Sequence, residues 1–344
     1  MRSTELTSAE RKASLLAHGR ILVPRGLWLP VLLSRSSAGP GGGQTSLFFR
    51  IGGSLLRLEV VREGPAPLRL RRTPAGFDIL RGRRVLARDV SPQNAGFHAP
   101  GQAFINLHGS CRYHCAFCSL PGAPAKGPSL SRWQELILGA LRDGKVDAVA
   151  LTTGIPQTPS RACRDLSRLA AGIRRDFPAV PIGVEPYTVS ESDLRRLRDA
   201  GAGELKLNIQ CATSGLLERV CPGLDWAGIL KNLEAGVRLF GKGNVCSNLI
   251  IGLGETDAEA LAAVEKLAVM GVAVNLRPLR LNPLNRERLR RALGKLPGPV
   301  RPARLVRLAA AQKRLFALHG LDPGRFRTMC HRCTACDLAP FRDI

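Results

Sequence analysis

The sequence predicts an α/β protein: a full or partial (β/α) barrel, with a small β-rich domain before it and a cysteine-bearing extension after it. Three observations predict this. Short apolar runs alternate with amphipathic helical segments from about residue 101, period-two runs dominate before that, and two tight cysteine clusters flank the alternating region. In residues 1–100, Ser34–Gln44 (SRSSAGPGGGQ) reads as a Gly-rich surface loop lacking the GK[ST] ending of a phosphate-binding loop. Ser46–Ile51, Ser54–Val61, Leu68–Arg72 and Gly76–Ala87 follow as strand candidates. Gly101–Leu107 is then a strand that delivers the first cysteine loop.

The barrel is expected over 101–300. Strand candidates Ala148–Thr152, Pro181–Glu185, Glu204–Ile209, Val245–Ile251 and Val272–Pro278 alternate with helical segments at 131–142, 163–177, 191–200, 225–240 and 257–270. Such alternation implies a parallel sheet with right-handed crossovers, whose chemistry gathers at the C-terminal strand ends. Pro302–His319 is the helix that opens the 301–344 extension.

A length of 344 residues suits about two domains, and 44% hydrophobic with 23% charged residues is an ordinary globular balance. No apolar run approaches the about 20 residues of a membrane span, since Leu27–Leu33 is short and broken by Pro30. The first twenty residues have mixed charge and no apolar segment of the secretory kind, so a cytoplasmic location without membrane contact is expected. There, ten cysteines argue for metal ligation rather than disulfides, and six of the ten fall in the two clusters. The net charge of +24 is spread along the chain, with local excesses at Arg69–Arg88 and Arg286–Arg314. Three readings stay open: a solvated surface, attraction to an acidic protein, or nucleic acid, although aromatics at 5% offer little for stacking bases.

Cys111, Cys115 and Cys118 form C-x3-C-x2-C within FINLHGSCRYHCAFCSLPG at 104–122. Three thiolates on one short loop can hold three irons of a [4Fe-4S] cluster. The fourth iron is left open to chelate S-adenosylmethionine and to deliver the electron that cleaves it to a 5′-deoxyadenosyl radical. A zinc knuckle or buried thiols are the alternative, though zinc sites usually take four ligands. The stretch, with Phe117 directly before the third cysteine, resembles the radical SAM superfamily. Within it the chain is most similar to the biotin-synthase-like group, through GVEPYT at 183–188, AGAGELKLNIQCA at 200–212 and VCSNLIIGLGET at 245–256. That resemblance implies that Thr153 and Gly154 meet the SAM amine, although the turn departs from the family's Gly-Gly-Glu. It also implies that Glu185 and Asn208 approach the ribose and methionine end, and that Ile250 and Gly252, within 250–254, lie beside adenine.

The match to biotin synthase itself fails where that enzyme holds a second cluster on barrel cysteines. Only Cys246 aligns with one of them, Tyr187 stands in for another, and Cys163, Cys211 and Cys221 read as small buried apolar residues. Cys330, Cys333 and Cys336 instead form C-x2-C-x2-C, with Pro340 where a ferredoxin run has its fourth cysteine. This predicts a second, auxiliary [4Fe-4S] cluster with one iron open or held by another ligand, making the extension an Fe-S segment; a zinc site completed by His331 is the alternative. One cluster to make a radical and one consumed as a sulfur source is the logic of lipoyl synthases, and the whole chain resembles the subunits of the two-component lipoyl synthase family. The resemblance implies an octanoyl-lysine carrier protein as substrate, a second radical SAM subunit, and an electron donor such as ferredoxin or flavodoxin. Such carriers are often acidic, which would suit the basic surface. Two other readings remain: a radical SAM maturase or methyltransferase whose auxiliary cluster is not consumed, and a non-catalytic Fe-S or zinc protein that binds nucleic acid.

Overall fold

The computed structural model describes residues 6–35, 42–120, 127–187 and 190–344. Part of the Gly-rich loop expected at 34–44, the end of the first cysteine motif (Pro121 and Gly122), and Thr188 of GVEPYT lie outside those residues.

Helix α1 (Ser8–His18) opens on a Thr7–Glu10 capping box and closes at Gly19. Strands β1 (Arg20–Leu22), β2 (Ser34–Arg35), β3 (Thr45–Ile51), β4 (Ser54–Val61), β5 (Leu68–Thr73), β6 (Gly76–Arg81) and β7 (Arg84–Gln93) follow. The run expected as one strand over 76–87 is two strands, because Gly82 and Arg83 form a two-residue hairpin turn with Gly82 at φ +56°. Strand β3 pairs with both β4 and β7, so the order β3-β4-β1-β5-β6-β7 returns to β3 and closes a small barrel. Its one parallel strand, β1, is wedged between β4 and β5. Closure removes the sheet edges that would otherwise invite pairing.

The second sheet is parallel in simple order: β8 (Gln102–Asn106), β9 (Ala148–Thr152), β10 (Ile182–Glu185), β11 (Glu204–Lys206), β12 (Val245–Ile251) and β13 (Val272–Pro278). The crossovers are α2 (Leu130–Arg142), α3 (Pro159–Asp176), α4 (Glu191–Asp199), α5 (Ser214–Val220) with α6 (Trp226–Phe240), and α7 (Asp257–Val269). Each begins on a Ser, Thr or Asp whose side chain accepts a backbone N–H of the first turn: Ser129, Thr158, Ser190, Thr213, Asp225 and Thr256. The short α5, and α8 (Arg286–Leu293) beyond β13, fall in stretches with no helical expectation; β11 is shorter than the strand expected over 204–209. Helix α9 (Pro302–Leu318) packs against α1 and α7.

After α9, α10 (Met329–Cys333) and α11 (Pro340–Asp343) form a hook that enters the concave side of the second sheet. The hook bonds to Gln102 on β8 and to Asn275 on β13, the two edge strands, so the sheet must curl around it as a partial barrel. Alternation along the strands makes this possible. Ile105, Val149, Val184, Leu205, Leu249 and Val274 face the helices, while Phe104, Ala150, Gly183, Lys206, Cys246 and Asn275 face the hook. At Gly183 a Cβ would lie 2.1 Å from Thr328 Oγ1 and 2.6 Å from Met329 Cε, so only glycine admits the hook.

Candidate functional site

The first cysteine set lies on the loop after β8, at the C-terminal mouth of the barrel. Its backbone is stitched to neighbouring loops: Arg112 N–H donates to Ile155 O (2.7 Å) and Ala116 N–H to Val220 O (2.6 Å). Asn285 Nδ2 donates to Phe117 O (3.0 Å), and Arg288 donates to Cys118 O. Phe117 is buried, which turns the loop and leaves Cys111, Cys115 and Cys118 half-buried. Burial, with the neighbouring Cys115, pushes the Cys111 thiol up. The Cys221 thiol lies within hydrogen-bonding reach of Cys115 and Cys211 and is raised by both and by burial.

The loop owes its seat to Gly154, whose N–H donates to His108 O at 3.2 Å. A Cβ there would stand 2.2 Å from Ser110 O and 2.8 Å from His108 O. Thr153 Oγ1 donates to Gly154 O (2.6 Å). Glu185 and Asn208 are joined at the mouth, Asn208 Nδ2 donating to Glu185 Oε1 at 2.7 Å while Asn208 Oδ1 accepts Asn248 N–H at 2.9 Å. Ile250 is packed in the main core. Gly252, at φ +105°, lies instead on a cavity of about 520 Å³ shared with Arg219, Leu253, Lys295 and Val300. Its N–H and that of Leu253 donate to Glu255 (2.7 and 2.9 Å), which Arg304 pairs at 3.0 Å. Among the described residues, the buried amide oxygens of Asn106 and Asn248 lack hydrogen-bond partners.

The second set sits inside the barrel on the hook. Glu204 accepts the N–H groups of Arg327 (2.7 Å) and Thr328 (3.0 Å); burial raises its pKa against those bonds. Gln102 exchanges two bonds with the Met329 backbone, at 2.7 and 3.0 Å. Lys206 Nζ lies 3.2 Å from Cys330 Sγ and 3.2 Å from Glu185 Oε1, and Arg277 Nη2 lies 3.0 Å from Cys330 Sγ. Burial pushes the Cys336 thiol up, but the charges of Arg277, Arg57 and Arg280 outweigh it, so it falls below its ordinary value. Burial and the neighbouring Cys336 raise Cys333. Met329 and Thr334, both at positive φ (57° and 54°), bound the turn that presents the thiols. His331 stacks on Phe326 with ring centres 4.7 Å apart.

Glu204, Lys206, Arg277, Gln102 and Arg57 are absent from the sequence-based expectations. The signal was present for three of them, Glu204, Lys206 and Arg277: ELKLN at 204–208 and NLR at 275–277 alternate polar and apolar residues, which marks a strand with a polar face.

Residues 105–267 match the profile of the radical SAM superfamily. The chain carries a radical SAM domain. Domains of this kind work with a [4Fe-4S] cluster and S-adenosylmethionine. The chain is 25% identical to a lipoyl synthase of Oleidesulfovibrio alaskensis over 194 residues, 54% of this chain and 66% of that protein. It is 28% identical to a biotin synthase of Saccharopolyspora erythraea over 181 residues, half of each chain. The aligned part thus spans less than two thirds of either relative. Among solved structures, the FeFe-hydrogenase maturase HydG from Carboxydothermus hydrogenoformans superposes with a TM-score of 0.52 at 17% identity, covering 63% of this chain and 52% of that one. Methylornithine synthase PylB gives 0.50 at 15% identity, covering 64% and 63%. At these identities the likeness is one of fold. No described helix is long and apolar enough to cross a membrane.

The donor chemistry of the first set fits the cofactors of the radical SAM domain, since soft thiolates suit iron-sulfur centres. Among the described residues no three Cys, His, Asp or Glu side chains are gathered as one metal ion would require. A single zinc draws its donors to about 2.3 Å from one point, whereas a cluster lets each thiolate take its own iron.

Proposed function

We propose that this radical SAM protein inserts sulfur into an octanoyl group carried on a lysine of an acidic carrier protein, forming the lipoyl cofactor. It would act beside a second radical SAM subunit and an electron donor such as ferredoxin or flavodoxin. The observation that carries this reading is the second set of three thiols, brought by the hook into the interior of the barrel whose mouth bears the first. In this reading Cys111, Cys115 and Cys118 hold the SAM cluster, and Cys330, Cys333 and Cys336 hold the auxiliary one. When bound, the two clusters supply the reducing electron and the inserted sulfur. The chain's own residues then have defined tasks. Gly154 lets the cluster loop close on β9, Glu185 and Asn208 offer a carboxylate and an amide to the polar end of SAM, and the cavity lined by Gly252 takes its base. Lys206 and Arg277 donate to Cys330 Sγ and fix its orientation inside the barrel. The 25% identity to a lipoyl synthase is consistent with this chemistry and does not establish it.

The experiment is anaerobic reconstitution with SAM, a reductant and octanoylated carrier, followed by mass analysis of the carrier peptide. Cys115→Ala should abolish 5′-deoxyadenosine production. Cys333→Ala should keep that production and lose sulfur insertion. A Cys333→Ala protein that thiolates the carrier at the parent rate would leave the maturase or methyltransferase reading in its place.

A further inference from the structure

Arg57, on strand β4 of the N-terminal barrel, is 4% exposed, yet its Nε and Nη2 have no hydrogen-bond partner among the described residues. A buried guanidinium with unsatisfied donors is one of the costlier arrangements a fold can hold, because its desolvation goes uncompensated. The backbone around it is fixed. Arg57 N–H donates to Ala335 O at 2.9 Å, and Arg57 O accepts from Arg280 Nη2 at 3.1 Å. Arg57 is therefore pinned to the very turn that carries Cys333 and Cys336.

The surroundings are apolar and cationic together. Phe48, Leu55, Phe104, Ala150, Cys330 and Cys333 form one buried cluster that shields this region from bulk solvent. Arg277 and Lys206 already point at Cys330, and Arg57, Arg277 and Arg280 all bear on Cys336. Carboxylates within this neighbourhood are Glu185, Asp337, Glu59 and Glu204, the last engaged by the Arg327 and Thr328 N–H groups of the hook. Glu185 pairs with Lys206 and Asp337 with Arg277, while Glu59 is itself raised by burial and shared with Arg20. None of these carboxylates is paired with Arg57 among the described residues, and its backbone bond to Ala335 sets it beside the turn that carries Cys333 and Cys336.

We propose that Arg57 binds the anionic group held by Cys330, Cys333 and Cys336, so that the N-terminal barrel forms one wall of the auxiliary site and sets the reduction potential of what it contains. This rests on the reading of those thiols as cluster ligands. Three thiolates on a [4Fe-4S] core leave a net negative assembly that becomes more negative on reduction. A guanidinium donating to it favours the reduced form, which raises the potential.

The test uses the full chain with Cys111, Cys115 and Cys118 all changed to Ala, so that the second set is read alone. Its iron and sulfide content after anaerobic reconstitution comes first. A protein that takes up neither refutes the cluster reading and the proposal with it. Given a loaded parent, Arg57→Met and Arg57→Lys are compared by redox titration followed by electron paramagnetic resonance, and by thermal unfolding before and after loading. The expected result is a more negative midpoint potential in Arg57→Met, partly recovered in Arg57→Lys. The cluster-free Arg57→Met protein should melt at or above its parent, because an unpaired buried charge is gone, and it should gain less from loading. An unchanged potential in a loaded Arg57→Met protein overturns the proposal while leaving the cluster reading intact. A cluster-free Arg57→Met protein that melts well below its parent, or fails to fold, also overturns it, by giving Arg57 a structural partner instead.

Discussion

Changing Lys12 to Met should loosen the whole C-terminal hook. Lys12 and Asp343 are 3% and 1% exposed and lie 2.6 Å apart, joining α1 to the end of the hook. Lys12 Nζ also donates to Thr334 O at 2.7 Å, while Asp343 accepts from Ser54 Oγ and from Ala339 N–H at 2.7 Å. Removing one partner of a buried pair costs about 3–5 kcal/mol, because the other charge stays buried and uncompensated. Here Asp343 keeps two donors, which argues for the lower end, whereas Thr334 O loses a bond to a charged donor worth about 1.5–3 kcal/mol. The sum points to about 5 kcal/mol. Urea unfolding of the cluster-free protein, with proteolysis of the hook as a second probe, measures it. Asp343→Leu should cost a similar amount, and the double variant should cost far less than the two singles together, since an apolar pair of similar volume replaces a buried ion pair at little net cost. A single-variant loss under about 1 kcal/mol, or strict additivity in the double variant, would refute the reasoning.

Two further outcomes follow from the same geometry. Gly154→Ala should displace the 108–110 backbone, because its Cβ would meet Ser110 O at 2.2 Å; at an overpacking cost of about 1–3 kcal/mol or more, iron bound at the first set and 5′-deoxyadenosine formation should fall together, to about a tenth or less. Full iron loading in that variant would contradict the seat assigned to Gly154. Burial, then the charges of Lys206 and Arg277, hold His331 down to about 3, so the unfolded chain binds the extra proton below its ordinary pKa of 6.5. Its contribution is therefore complete above about pH 6.5 and declines as pH falls toward 3, by at most about 1.4 kcal/mol per pH unit. Urea midpoints of the cluster-free protein and of His331→Gln between pH 7 and 5 should diverge in that sense, and parallel curves would exclude it.

The sequence by itself determined the local and the periodic features. The strands at 148–152, 245–251 and 272–278 have the bounds read from the sequence; Ala148–Thr152 is the short, nearly continuous apolar segment of a parallel strand buried on both faces, while the other two carry polar residues on the face toward the hook. The C-x3-C-x2-C loop after the first barrel strand was legible for a similar reason: its spacing is covalent and needs no partner. Closure of the N-terminal barrel was not legible, since it depends on β3 meeting β7 some forty residues away and on β1 running parallel between strands that are otherwise antiparallel. Nor was the place of the second thiol set. Cys330 lies beside Lys206 and Arg277 only because Gly183 leaves room for Thr328, and because Glu204, Gln102, Asn275 and Arg57 each hold one point of the hook. These partners lie between about 50 and 280 residues from the thiols in sequence, so no local spacing encodes them. Charge neutrality and hydrogen-bond satisfaction act through space, which is why the buried cations that line the second site had to be found in the folded chain.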